Sequence, residues 1–357
     1  MGEAEIWQLV DASSVGGIER HVSELTTALC QAGLPARAVL YAPHAPNAWL
    51  DQLRREQTPH HVLSGSVAGL VDALRRDRPR LVHTHGYKAG IVGRLAARLL
   101  RIPVVSSFHA GETGRWPVNL YQAVDAATSG LARRISVSQA IAKRLPYASE
   151  TIANFVSVPA VDLSVPLPRR IAFVGRLSEE KGPDLFCEIA RAAGPMVAWD
   201  IYGDGPMRET LEVRYRGIVR FHGFQSDMTE VWKNVGLLMM PSRAEGLPMA
   251  ALEALVRGIP VAASAVGGMP GLLKTIDRDG LFEAGDIAKA VEVARRWSDL
   301  DGPALAALRL AGRQSIQNRF SANAILPKVL AVYRLAGGAS IASSKTIVQS
   351  SICSGMS

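Results

Sequence analysis

Short apolar segments alternate with helix-period segments along this chain in two successive series. In the first series the strand candidates are residues 6–10, 36–41, 81–84, 104–109 and 134–137, with helices over 19–32 and 89–100 between them. In the second they are 170–174, 198–202, 219–222, 236–240 and 260–264, again separated by helical patterns. Apolar runs without polar alternation are what strands buried on both faces look like, so each series predicts a parallel sheet covered by helices. Pro159, Pro166 and Pro168 interrupt any regular element between residues 156 and 169, which places a linker near residue 165. At 357 residues the chain exceeds what one core usually organises. The expected fold class is therefore α/β, with two doubly wound domains, 1–165 and 166–318, facing each other across a cleft. In open parallel sheets ligands sit beyond the carboxyl ends of the strands, so the loops that follow strands are where chemistry is expected.

Composition narrows the classes. Hydrophobic residues make up 48% and charged residues 20%, and no run approaches the ~20 apolar residues that span a bilayer. Glu3 and Glu5 follow Met1 closely and the apolar stretch at 6–10 is short, unlike a secretory signal, so a cytoplasmic protein is expected. Three cysteines, Cys30, Cys187 and Cys353, have neither paired nor CxxC spacing, which predicts reduced structural thiols. The net charge of +8 fits nucleic acid, an anionic membrane face or a phosphorylated substrate. The densest basic group, Arg75, Arg76, Arg78 and Arg80, lacks the interleaved aromatics of a nucleic-acid platform, so it reads as a solvated surface and nucleic acid is not an expected partner.

The most informative stretch is 237–271, LLMMPSRAEGLPMAALEALVRGIPVAASAVGGMPG. It reads as a buried strand, a loop, a helix, a second strand and a double-glycine turn. Glu245 and Glu253 lie in it with seven residues between them. Pro248 suits the first turn of a helix, so Glu245 precedes the helix while Glu253 sits more than a turn inside it. Amides over 246–249 then carry the positive end of the helix dipole, which attracts a diphosphate or hydroxyl oxygens. Taken alone, the pair could equally be ordinary capping residues. A second stretch, FVGRLSEEKG at 173–182, runs from a strand into Gly175, Arg176 and Lys181, although Lys181 could simply pair with Glu179 or Glu180. In IYGDGPMRETLE at 201–212, Gly203 and Gly205 could serve nucleotide approach or merely a tight turn. Near the start, Ser13, Ser14, Val15, Gly16 and Gly17 lead into a helix carrying Glu19 and Arg20. This is not GxGxxG, and no acidic residue ends the second strand, so a dinucleotide dehydrogenase loses its support.

These motifs together resemble the family 4 glycosyltransferases, retaining enzymes of the GT-B fold. The likeness reaches from the start to about residue 336 and is most specific around Arg176 and from Glu245 to Glu253. It implies two Rossmann-like domains, an acceptor-side one at 1–165 and a nucleotide-sugar one at 166–318. It also implies a closing helix at 319–336 that returns to the first domain and a loose tail at 337–357. By this resemblance Arg176 and Lys181 grip the diphosphate of the donor, Glu245 and His109 hold the sugar, and Glu253 holds the ribose. Gly16, Gly17, Gly175, Gly203, Gly205, Gly246, Leu247 and Pro248 line the donor site. Fixed cations take the place of a metal, because the leaving diphosphate gains charge as its bond breaks. His83 and His85 form a His-x-His pair at a strand end with no third ligand evident, and are read as cleft lining with no metal.

Asp277-Arg278-Asp279 carries the Asp-x-Asp pattern of a metal-dependent transferase architecture, but it falls where the family has a surface loop. Two departures stand out. Gly271 replaces a glutamate common after the Gly-Gly turn, and Asn154-Phe155 replaces an Asn-Gly before the linker. The expected activity is transfer of a sugar from a nucleotide diphosphate donor to a glycan or lipid-linked acceptor, without a cofactor, with transient contact to an anionic membrane face. A sugar-nucleotide epimerase and a catalytically inactive sugar-nucleotide binding protein are the alternatives.

Overall fold

The computed structural model describes residues 5–12, 16–44, 46–109 and 118–337. Ser13, Ser14 and Val15 of the double-glycine loop, the tail beyond Gly337 and Cys353 lie outside the described residues. The first sheet contains β1 (Ile6–Val10), β2 (Ala36–Leu40), β3 (His60–Val62), β4 (Leu81–His85), β5 (Val104–Phe108), β6 (Arg133–Ser136) and β7 (Glu150–Thr151). The second contains β8 (Arg170–Val174), β9 (Ala198–Tyr202), β10 (Arg220–Gly223), β11 (Leu237–Met240), β12 (Val261–Ser264) and β13 (Leu281–Phe282). The spatial orders are β3-β2-β1-β4-β5-β6-β7 and β10-β9-β8-β11-β12-β13. Every described strand pair is parallel, with helices as crossovers. The central strands are buried along their length because helices cover both faces, which is why they read as unbroken apolar runs.

Chain direction across each sheet reverses once, between β1 and β4 in the first and between β8 and β11 in the second. Loops from these neighbouring strands part there and leave a crevice at their carboxyl ends, which is where ligands of such folds settle. β3, β7 and β13 are the strands that sequence reading did not anticipate. They are short edge strands, and β7 is exposed throughout, so they lack the apolar run that marks a central strand.

The linker is tied down by the long helix Gly302–Arg319: Arg309 Nη1 donates to the Val165 carbonyl at 2.8 Å, and Arg313 Nη2 to that of Pro159 at 2.8 Å. Ser321 then caps the helix Ala322–Leu335. That helix buries Ile325, Leu326, Val329, Val332 and Tyr333 with Ile6, Leu25, Leu29 and Val105 of the first sheet's layer. The last helix therefore completes the core begun by the first strand. Among the described residues no helix is long and apolar enough to cross a membrane.

Candidate active site

At the crevice between β8 and β11, the loop after β8 turns through Gly175, Arg176 and a short 3-10 turn, Glu179–Lys181. It presses onto the loop after β11 so closely that a Cβ on Gly182 would stand 2.3 Å from the Pro241 carbonyl oxygen. That contact carries Lys181 across, and its Nζ lies 2.7 Å from Glu245 Oε2. Ser242 Oγ donates to Glu245 Oε1 at 2.9 Å. Glu245 is only 5% exposed, so a lysine and a hydroxyl satisfy both oxygens of a buried carboxylate. Lys181 thus has a specific partner on the neighbouring strand's loop. Arg176 is exposed on the same loop, with no side-chain hydrogen bond or ion pair among the described residues.

The segment from Glu245 onward faces the first domain. A Cβ on Gly246 would lie 2.6 Å from the His109 carbonyl oxygen, and Asn154 Nδ2 donates to the Leu247 carbonyl at 3.0 Å. From below, Gly267 at φ +57 brings its backbone so near that a Cβ there would sit 2.0 Å from the Glu245 carbonyl oxygen. Gly268 N–H donates to the Gly246 carbonyl at 2.6 Å. The His109 carbonyl on one side and the Gly267-Gly268 turn on the other therefore clamp the Glu245 loop between domains.

Pro248 is the N-cap of the helix Met249–Val256, whose opening amides have no intrahelical acceptor. Glu253, buried inside this helix, accepts from Trp232 Nε1 at 3.0 Å on one oxygen. Its other oxygen is 3.2 Å from Nε of Arg20, a residue of the first domain's helix Gly17–Gln31. That contact is an ion pair without an aligned hydrogen bond, since Arg20 Nε has no acceptor in line with its proton. Arg20 also faces Glu24 and Glu56, and burial is outweighed by these carboxylates, which hold its pKa above the usual value. Glu24 in turn accepts from Ser157, so the network joins both domains and the linker.

On the first domain's side, His109 follows β5, half-buried. It borders a cavity of about 320 Å³ lined also by Tyr87, Phe108, Asp125, Ile141 and Arg144. Behind it stand three more imidazoles. His85 Nδ1 is 3.1 Å from His109 Nε2, and His85 Nε2 is 2.9 Å from Gln8 Oε1. His83 contacts the Tyr333 hydroxyl and Ser107 Oγ, each at 2.8 Å. His21, from the helix Gly17–Gln31, closes the group, and its Nδ1 is buried without a partner. Burial lowers the pKa of all four, to about 3 for His83 and about 4 for His109 and well below the usual value for His21 and His85. The His-x-His pair does not act as a unit: His83 turns to Tyr333 and Ser107, while His85 gathers with His21 and His109 from two other elements, a meeting that linear spacing does not reveal.

The remaining candidates are placed as follows. Gly16 caps the helix Gly17–Gln31, and Gly17 faces Met249 of the other domain. Glu19 folds back on the Gly16 amide, and burial pushes its carboxyl up to about 7. At Gly203 (φ +140) a Cβ would lie 1.9 Å from the Gly175 carbonyl oxygen, and at Gly205 2.5 Å from that of Leu177. Both positions require glycine because the turn after β9 rests on the Arg176 loop. Asp277 is held by Arg296 at the edge beside β13. Gly271 has open space around its Cβ position. Arg20, Ser242, Trp232 and Gly267 were not singled out for the site. Arg20, Trp232 and Gly267 act through contacts distant in sequence, whereas Ser242 reaches Glu245 only three residues on, and the Gly267-Gly268 turn left a local signal.

Two family models match the chain: "Glycosyltransferase Family 4" over residues 15–147 and "Glycosyl transferases group 1" over 168–298. One relative is the UDP-Gal:α-D-GlcNAc-diphosphoundecaprenol α-1,3-galactosyltransferase of Escherichia coli, 28% identical over 66% of this chain and 70% of that protein. Another is the 2-deoxystreptamine N-acetyl-D-glucosaminyltransferase of Streptomyces fradiae, 27% identical over 79% of this chain and 82% of that one. Among solved structures, HepE of Anabaena in complex with UDP and glucose superposes with a TM-score of 0.79 at 19% identity, covering 93% of this chain and 100% of that one. That likeness bears on the fold.

Proposed function

Because the chain belongs to the family 4 glycosyltransferases and has the GT-B fold, we propose that it transfers a sugar, with retention, from a nucleotide diphosphate donor bound at the β8/β11 crevice. The acceptor is a glycan or lipid-linked molecule presented from the His109 side. The observation that carries this reading is the Lys181–Glu245 pair, poised at the crevice and facing the other domain. In the ligand-free protein the two groups neutralise each other. When a donor enters, Lys181 turns to the diphosphate with the unengaged Arg176, and Glu245 is released toward the sugar hydroxyls beside His109. Glu253 holds the ribose, its carboxylate fixed in direction by Trp232.

The acceptor hydroxyl attacks the anomeric carbon on the face the nucleotide leaves. The bond to the phosphate oxygen breaks, and the hydroxyl proton passes to that departing oxygen. Two cations and the opening amides of the helix Met249–Val256 stabilise the leaving group, so no divalent ion is needed at the diphosphate. A charge-assisted hydrogen bond contributes roughly 1.5–3 kcal/mol, about ten- to a hundredfold in rate when made chiefly in the transition state.

A thermal-shift screen against UDP, GDP and ADP sugars, followed by transfer assays, tests the reading. A donor at a hundred times its Kd raises stability by about 2.7 kcal/mol. Lys181→Ala should lower turnover at least tenfold (~1.4 kcal/mol) while the protein stays folded; a fully active variant would contradict the assignment. Donor binding without transfer to any acceptor would favour an inactive binding protein, and sugar conversion without acceptor would favour an epimerase.

We further place the protein in the cytoplasm, touching the inner membrane face through its first domain. The helix Val118–Thr128 beside the acceptor cavity exposes Leu120, Tyr121 and Val124, and the chain carries a net +8 charge. Salt-sensitive co-sedimentation with anionic vesicles is the expected result.

A further inference from the structure

The histidine group behind the acceptor cavity has a geometry that sugar binding does not explain. His21 comes from the first helix, His85 from the end of β4 and His109 from beyond β5, and one nitrogen of each lies within 4.8 Å of the others. Their ring centroids are 5.0 Å apart for His21 and His109, 5.4 Å for His85 and His109, and 5.7 Å for His21 and His85. A divalent ion held by imidazole nitrogens at about 2.0–2.1 Å sits about 3.2 Å from each centroid, so tetrahedral placement sets the centroids about 5.2 Å apart. The rings already stand at nearly that spacing.

Proton placement agrees. Gln8 Nε2 donates to the Tyr333 hydroxyl, so its carbonyl oxygen faces His85 and keeps that proton on Nε2. His85 Nδ1 then presents a lone pair inward, toward His109 Nε2 at 3.1 Å. This is the outer-shell arrangement that orients metal-ligating histidines. His21 Nδ1, buried with no hydrogen-bond partner, is a polar atom without an explanation in the ligand-free protein.

We propose that His21, His85 and His109 form a binding site for one divalent transition-metal ion of the zinc, nickel or copper type, its fourth position open to the interdomain gap. Three imidazoles with no carboxylate favour those ions over magnesium or manganese, which prefer oxygen. The site lies in the first domain, apart from the diphosphate crevice. An ion there takes the His109 Nε2 lone pair and fixes the ring, so metal and donor sugar compete and the ion acts as an inhibitor. Metal binding does not rest on the transferase reading and is measured without donor or acceptor.

The experiment uses the full chain, stripped with EDTA and titrated with Co²⁺, whose visible absorption distinguishes a low-coordinate nitrogen site from the hydrated ion. Wild type should take up one equivalent with intense visible bands, displaced by Zn²⁺ and unaffected by Mg²⁺. Two variants locate it. His21→Gln should weaken uptake by more than the ~10–100-fold that loss of an outer-shell partner costs, whereas His61→Gln, in the His60-His61 pair on the edge strand β3, should leave it unchanged. If circular dichroism shows His21→Gln unfolded, His109→Gln at the cleft rim takes its place. Absence of bands in wild type, or bands that survive loss of either ligand, would overturn the proposal.

Discussion

Trp232 donates its indole N–H to Glu253 while Arg257 lies over its ring at 5.9 Å. The ring therefore packs and the N–H orients. Trp232→Phe keeps most of the packing and removes the orientation, so the Glu253 carboxylate is left to Arg20 alone. A hydrogen bond to a charged group contributes about 1.5–3 kcal/mol. We expect the donor KM to rise about tenfold (~1.4 kcal/mol) with kcat nearly unchanged, as measured by initial rates; a KM within about twofold of wild type would remove Trp232 from the site. Gly271 is the opposite case. Its Cβ position is open and the residue is exposed in the helix Met269–Leu273, so Gly271→Glu should change stability by no more than about 0.5 kcal/mol in a thermal melt. The missing glutamate is thus a difference in chemistry and not a steric necessity.

Among the helices, Tyr87–Leu99 and Val118–Thr128 are joined by a buried charge. Arg94 is 0% exposed, and its Nη2 donates to Asp125 Oδ1 at 2.7 Å, to the Asp125 carbonyl at 2.9 Å and to Thr128 Oγ1 at 2.7 Å. Burial raises the Asp125 pKa and the guanidinium opposes that rise. Removing one partner leaves the other charge buried and uncompensated, which costs about 3–5 kcal/mol. Asp125→Ala should show that loss in urea denaturation; a loss below about 1 kcal/mol would mean that water relieves Arg94. Because Asp125 lines the cavity beside His109, the same variant should loosen that wall. Neither residue stood out in the sequence. Arg94 reads there as one more arginine on an amphipathic helix, and only the packing of a second helix onto it makes it a core residue.

Across the whole molecule, the domains meet at the helix starts Gly17–Gln31 and Met249–Val256, with Arg20 bridging to Glu253. Arg20→Met should free this junction and speed deuterium uptake in Met249–Val256, with uptake in the β4 and β5 core unchanged; equal uptake in both proteins would show that the arginine does not hold the domains together. The sequence by itself determined that two parallel sheets form, because apolar runs and helix periods are local properties with fixed spacings. Resemblance to the family pointed to Lys181, Glu245 and Glu253 through two separate motifs, at 173–182 and 237–271. Only the tertiary structure decided that Lys181 pairs with Glu245, that Glu253 is shared between Trp232 and Arg20, and that His21, His83 and His85 gather with His109 from two other elements of the first domain. The physical reason is burial: a charge or an imidazole in water needs no partner, and which partner it finds depends on what the fold places beside it once water is excluded.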